Sequence, residues 1–204
     1  MQANTKITLS SQEQQLVNNS NWILTKRAII EKAVLLLAGS SERMKTILDG
    51  EKEWLPEMVQ CSSPKISKGE NYLMLPYVIL DYPRCFTGGD VFAVRTMFWW
   101  GNFFSCTLHL AGIYKKMFEK DLLKNLSRPA QNDYYICVNG DPWQHHFGQD
   151  NYTRVDSVTP GRIEDVLQAQ NFIKIALKFP LEQWDVMPSL LESKYAELIR
   201  LVKN

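Results

Sequence analysis

The first third of the chain carries its apolar residues at helical spacing. Ile23, Ile29, Ile30, Ala33, Val34 and Leu37 fall on one stripe, which predicts a helix from about Asn21 to Ala38 with Gly39 as a left-handed C-cap. A second short helix is expected after it, capped by Ser40 or Ser41, with Met44, Ile47 and Leu48 inward and Gly50 as its stop. A third, from Glu51 to Gln60, has to accommodate Pro56 in its first turn or break there. Residues 1–20 are polar and read as a partly flexible lead-in, and the turn-formers of residues 61–70, CSSPKISKGE, close the helical region.

The pattern then changes character. Tyr72 to Tyr82, Val91 to Trp100 and Phe103 to Leu110 are rich in β-branched and aromatic residues and read as three strands. Gly101-Asn102 suits a two-residue type II′ turn, which predicts a central hairpin over 91–110 whose opposed residue numbers sum to 203. In that register Phe92, Val94, Thr96, Phe98 and Trp100 share a face with Phe103, Ser105, Thr107 and His109, while Ala93, Arg95, Met97 and Trp99 lie with Phe104, Cys106, Leu108 and Leu110. A bulge would swap the assignments beyond it.

Ile113 to Leu126 reads as an amphipathic helix with Pro129 past its end, Tyr134 to Val138 as a short strand, and Tyr152 to Val158 as another. Pro160-Gly161 opens a long helix expected to run through Ile163, Val166, Leu167, Ile173, Ala176 and Leu177 to near Pro180, and a last helix covers Asp185 to Val202. Helices, then strands, then helices describe one α+β domain over residues 1–204, with a mostly antiparallel sheet of about 4–5 strands packed by N-terminal and C-terminal helices.

Charge changes this picture little. With 23 Lys and Arg against 22 Asp and Glu, no global field points to nucleic acid. The N-terminus has neither a basic region nor an apolar run, so a cytoplasmic location is expected. The apolar run Val91 to Gly112 contains Arg95, Asn102 and His109, which suits strands better than a lipid-facing helix, so no membrane span is expected. Cys61, Cys85, Cys106 and Cys137 form no CxxC pair, and reduced, mostly buried thiols are the expectation.

Two constellations carry the candidate chemistry. His145 and His146 in WQHHFGQD would diverge on an extended backbone, so a metal or acid–base site would need one of them to meet His109 and a carboxylate such as Asp81, Asp141 or Asp150. Histidines packed beside Trp143 in a loop are the plain structural alternative, and no metal site is assigned. The second constellation is Asp81, Arg84, Arg95 and His109. An arginine within a core strand is costly to bury alone, so Arg95 calls for an internal carboxylate or an anionic ligand. In the ligand reading, Arg84 and Arg95 grip a carboxylate or phosphate with Trp99 or Trp143 as an apolar wall. The expected function is a non-catalytic module holding a small anionic or aromatic ligand, or a protein partner, against the 72–112 sheet. The alternative is a small enzyme using His109, His145 or His146 with Asp81 or Asp141. The aromatic hairpin end, residues 97–104, offers either core packing or a homodimer contact. No cofactor signature is present, and neither a phosphate-binding glycine loop nor a nucleophile elbow occurs.

Overall fold

In the computed structural model, which describes residues 7–127 and 133–204, the helical stripe of the first third runs unbroken from Ser20 to Asp49. Neither Gly39 nor the serines after it end it. The Ser40 and Ser41 hydroxyls donate back to the carbonyls of Leu36 (2.9 Å) and Ala38 (2.7 Å), a bonding mode that helix interiors tolerate, so two expected helices are one. Within the polar lead-in, a capping box between Ser10 and Glu13 starts a short helix, α1 (Ser11–Val17), that buries no side chain. The long helix is α2 (Ser20–Asp49), and Pro56 caps the single turn α3 (Glu57–Gln60). Residues 1–6 and 128–132, Pro129 among them, lie outside the described part of the chain.

Seven strands follow among the described residues, two or three more than expected: β1 (Lys65–Tyr72), β2 (Leu75–Thr87), β3 (Asp90–Trp99), β4 (Phe103–Ala111), β5 (Tyr135–Cys137), β6 (Tyr152–Arg154) and β7 (Phe172–Pro180). They form an antiparallel sheet in the order β1-β2-β3-β4-β7-β5-β6. Helices α4 (Ile113–Leu126), α5 (Pro160–Ala169) and α6 (Met187–Arg200) complete the α+β fold. The expected helix through Leu177 is overturned: it stops at Ala169, and Phe172–Pro180 is a strand lying between β4 and β5. Its strict alternation of Ile173, Ile175, Leu177 and Phe179 explains why, since all four are buried on one side.

One face of the sheet is an apolar core. Val78, Leu80, Phe92, Val94, Phe98, Phe104, Cys106, Leu108 and Leu110 meet Ala33, Leu37, Met44 and Leu48 of α2, Phe118 and Leu122 of α4, and Leu191, Tyr195 and Leu198 of α6. Full burial of each such side chain contributes roughly 1.5–3 kcal/mol before conformational entropy is counted. Against the opposite face lies the segment 138–151, which has no regular structure. The backbone N–H groups of His145 and His146 donate to the Tyr72 hydroxyl (2.7 and 3.0 Å), and Lys174 Nζ donates to the Gln144 carbonyl (2.6 Å), so the segment is tied to β1 and β7.

The central hairpin exists, but its register differs by one residue. Trp99 pairs with Phe103 and Val91 with Ala111, so opposed numbers sum to 202 and the connection has three residues, Trp100 to Asn102, with Gly101 at φ 69°. Because side chains alternate along a strand, this single step exchanges the whole of β4 between faces. His109, Thr107 and Ser105 therefore join Arg95, and Cys106, Leu108 and Leu110 join Phe92 and Val94. The hairpin's aromatic rings pack within the chain: Trp100 against Trp22, Phe98 and Phe104 against Trp184, and Trp99 between Tyr72 and Phe103. No helix among the described residues is long and apolar enough to cross a membrane. All four cysteines are free thiols, and only Cys61 is exposed.

Candidate functional site

The polar residues of the sheet converge under the 138–151 segment because of a bulge in β2. Asp81 pairs with Arg95 and Arg84 with Ala93, so Tyr82 and Pro83 together oppose the single residue Val94. The extra residue resets the alternation, and Asp81, Arg84 and Phe86 point to one face while Tyr82 and Cys85 enter the helix-side core. Two adjacent cross-strand rows result, Asp81–Arg95–Thr107–Ala176 and Arg84–Ala93–His109–Lys174.

Arg95 is paired by the protein. Its Nε and Nη2 donate to both Asp81 oxygens, at 2.7 and 2.9 Å, a fork-to-fork geometry that fixes both side chains. Its Nη1 lies 3.1 Å from His145 Nε2, and its guanidinium lies 5.8 Å from the Trp143 ring centroid. An arginine can only donate, so that His145 nitrogen accepts and the imidazole is neutral. Burial, followed by the Lys174 and Arg95 charges, holds the His145 pKa down to about 2. His109 is buried in the same environment with its pKa lowered to about 3 by desolvation and then by Lys174 and Arg95, and its Nε2 has no hydrogen-bond partner.

Lys174, 2% exposed, completes the cluster. Its ammonium sits 5.2 Å from the Tyr152 ring centroid, it makes no carboxylate ion pair among the described residues, and burial lowers its pKa to about 8. Asp81, Phe86, Arg95, Thr107, His109, His145 and Lys174 line a small, partly open chamber of about 10 Å³. Beyond Arg95 the chamber gives way to an open cleft of about 300 Å³, lined by Lys65, Ser67, Arg84, Phe86 and Trp143 as well as Asp81 and Arg95. Among the described residues the Arg84 guanidinium, which reaches this cleft, has no carboxylate partner, and its Nε is buried and unpaired.

The structure thus brings together Asp81, Arg84, Arg95, His109, His145 and Trp143. It leaves three expected site residues apart. Trp99 shares the face but lies toward the far end of the hairpin, donating to the Tyr72 carbonyl at 3.2 Å. His146 turns away toward Asp150, 3.1 Å from its Oδ2. Asp141 is exposed and organises its own turn, accepting from the Trp143 backbone N–H and the Gln144 amide, which lower its pKa. No group of three or more His, Cys, Asp or Glu among the described residues is arranged to hold a metal ion. Lys174, Lys65, Phe86 and Thr107 are additions that the sequence reading missed. For Lys174 the signal was available, as a lysine at an even position of the alternating run 172–179, opposite the odd-numbered Ile173, Ile175, Leu177 and Phe179. No family model, no curated protein and no solved structure matches this chain.

Proposed function

We propose that this protein is a binding module that holds a small organic anion, a carboxylate or a phosphate, in the cleft beside Trp143. The observation that carries the proposal is an imbalance of charge. Lys65, Arg84 and Arg95 line the cleft against one carboxylate, Asp81, and both oxygens of that carboxylate are already engaged by Arg95. Arg84 is therefore the group with capacity to spare, and a guanidinium takes a carboxylate or phosphate through two parallel hydrogen bonds. Phe86 and Trp143, with ring centroids 6.2 Å apart, supply an apolar wall that favours anions carrying an aromatic or aliphatic body.

The catalytic alternative draws on a single feature, the unpartnered Nε2 of His109. A general acid or base works best with a pKa near the operating pH, whereas His109 and His145 are held near 3 and 2, and Asp81 is bound to Arg95. Binding is the reading these values favour. Its test is calorimetric titration with inorganic phosphate, citrate and benzoate. The proposal expects saturable binding of at least one of them, weakened tenfold or more in Arg84→Met; heats equal to dilution for all three would sink it.

A further inference from the structure

The chamber poses a separate electrostatic problem. Around it lie two cations, Arg95 and Lys174, and one carboxylate, Asp81, so with both histidines neutral the groups lining it carry a net charge of +1, which only the exposed Asp141 offsets from a distance. Asp81 is committed to Arg95 in β2 and β3. From the covering segment Lys174 donates to the Gln144 carbonyl and feels the exposed Asp141 carboxylate at longer range, and from β4 it faces His109 across the strand pair. A buried charge without compensation is among the costliest arrangements a fold can contain. The chamber also presents an unused buried donor or acceptor, since His109 is 7% exposed and its Nε2 has no partner. A neutral imidazole can place its one proton on Nε2 and so donate into the chamber.

We propose that the chamber between His109 and Lys174 is a structural site for one monovalent inorganic anion of halide size. The anion neutralises the excess charge and accepts from His109 Nε2–H and the Lys174 ammonium. The chamber, where the centre of a water-sized sphere has about 10 Å³ to move in, suits a single monatomic ion better than a polyatomic one. The chamber and the cleft share Asp81, Phe86 and Arg95, but His109 and Lys174 line only the chamber and Arg84 and Lys65 only the cleft, so substitutions at those positions separate the two sites.

The test is thermal unfolding at pH 7 and constant ionic strength, with sodium chloride exchanged stepwise for sodium isethionate, whose anion is too large for the chamber. The expected result is a Tm that rises by a constant increment for each tenfold increase in chloride above its Kd, as mass action requires for a ligand of the native state. Arg84→Met is expected to keep that dependence, and His109→Phe and Lys174→Met to lose it. Equal Tm in the two salts would overturn the site, and so would a chloride effect lost in Arg84→Met but kept in His109→Phe, which would place the anion in the cleft. Should the chamber variants fail to fold, bromide-soaked crystals of the unaltered protein decide the matter. An anomalous peak is expected within hydrogen-bond distance of both His109 Nε2 and Lys174 Nζ, and no peak there contradicts the proposal.

Discussion

Asp81 and Arg95 show how one residue pair fixes a site. Both side chains are largely shielded, and each charge is compensated chiefly by the other. Arg95→Met leaves the Asp81 carboxylate buried and unpaired, which is expected to cost about 3–5 kcal/mol of stability in denaturant unfolding. The double variant Asp81→Asn, Arg95→Met should cost less than the two single changes added together, and strict additivity would mean that the pair is not coupled. Glu51 plays a comparable part on the helix side. It accepts from Arg200 Nε at 2.9 Å, Lys203 Nζ at 2.7 Å and Trp54 Nε1 at 2.8 Å, tying the chain after α2 to the end of α6. Desolvation opposes the ionised form, but these donors outweigh it and bring the Glu51 pKa down to about 2. Glu51→Gln should lower stability by about 1.5–3 kcal/mol, the worth of hydrogen bonds to a charged group.

At the scale of elements, α1 and β7 make opposite predictions. Because α1 buries no side chain, a chain beginning at Asn18 should keep the Tm of the full protein within a few degrees in calorimetry. A drop of ten degrees or more would show that α1 packs on something. Strand β7 lies inside the sheet, between β4 and β5, and Ile175→Pro should abolish folding because it removes a ladder hydrogen bond of β7. These elements also mark where the sequence was legible. The stripe of α2, the three long strands and α4 follow from periodicity, and the cost of burying Arg95 alone calls for a carboxylate or an anionic ligand, of which the structure supplies Asp81. The strand β7 was hidden because Pro160-Gly161 is a sound helix start and the helix signal of α5 runs into it without a glycine or proline between. The site was scattered for a subtler reason. A three-residue connection at 100–102 and a two-residue one differ by one position, which sends His109 to the opposite face from Arg95, and local composition does not separate the two turns. The β2 bulge that turns Arg84 toward the cleft is likewise set by pairing with β3, a contact invisible to any local window.

At the scale of the molecule, the fold divides its labour between the sheet's two faces. Helices cover an apolar face that supplies stability, while an irregular segment covers a face rich in buried polar groups. That second face sets the acid sensitivity of the whole protein. In the unfolded chain each imidazole takes up its proton below about pH 6.5, whereas in the folded protein His109 and His145 do so only near 3 and 2. Between those limits the unfolded chain binds more protons, so stability falls as the pH falls, by about 1.4 kcal/mol per pH unit for each histidine. Glu51, with its pKa lowered from 4.5 to about 2, adds a further loss below pH 4.5 in the same direction. Urea unfolding at pH 7, 6, 5 and 4 should give a steep decline, and His109→Phe should lessen it. A flat profile would mean that the histidines titrate normally in the folded state.

The most direct test of the account is isothermal titration of inorganic phosphate and benzoate into the unaltered protein and into Arg84→Met, in a halide-free buffer of low ionic strength. Saturable one-to-one binding that weakens at least tenfold in Arg84→Met is the result predicted by a cleft whose spare cation is Arg84. Binding of equal strength to both proteins, or no binding of either anion, contradicts it.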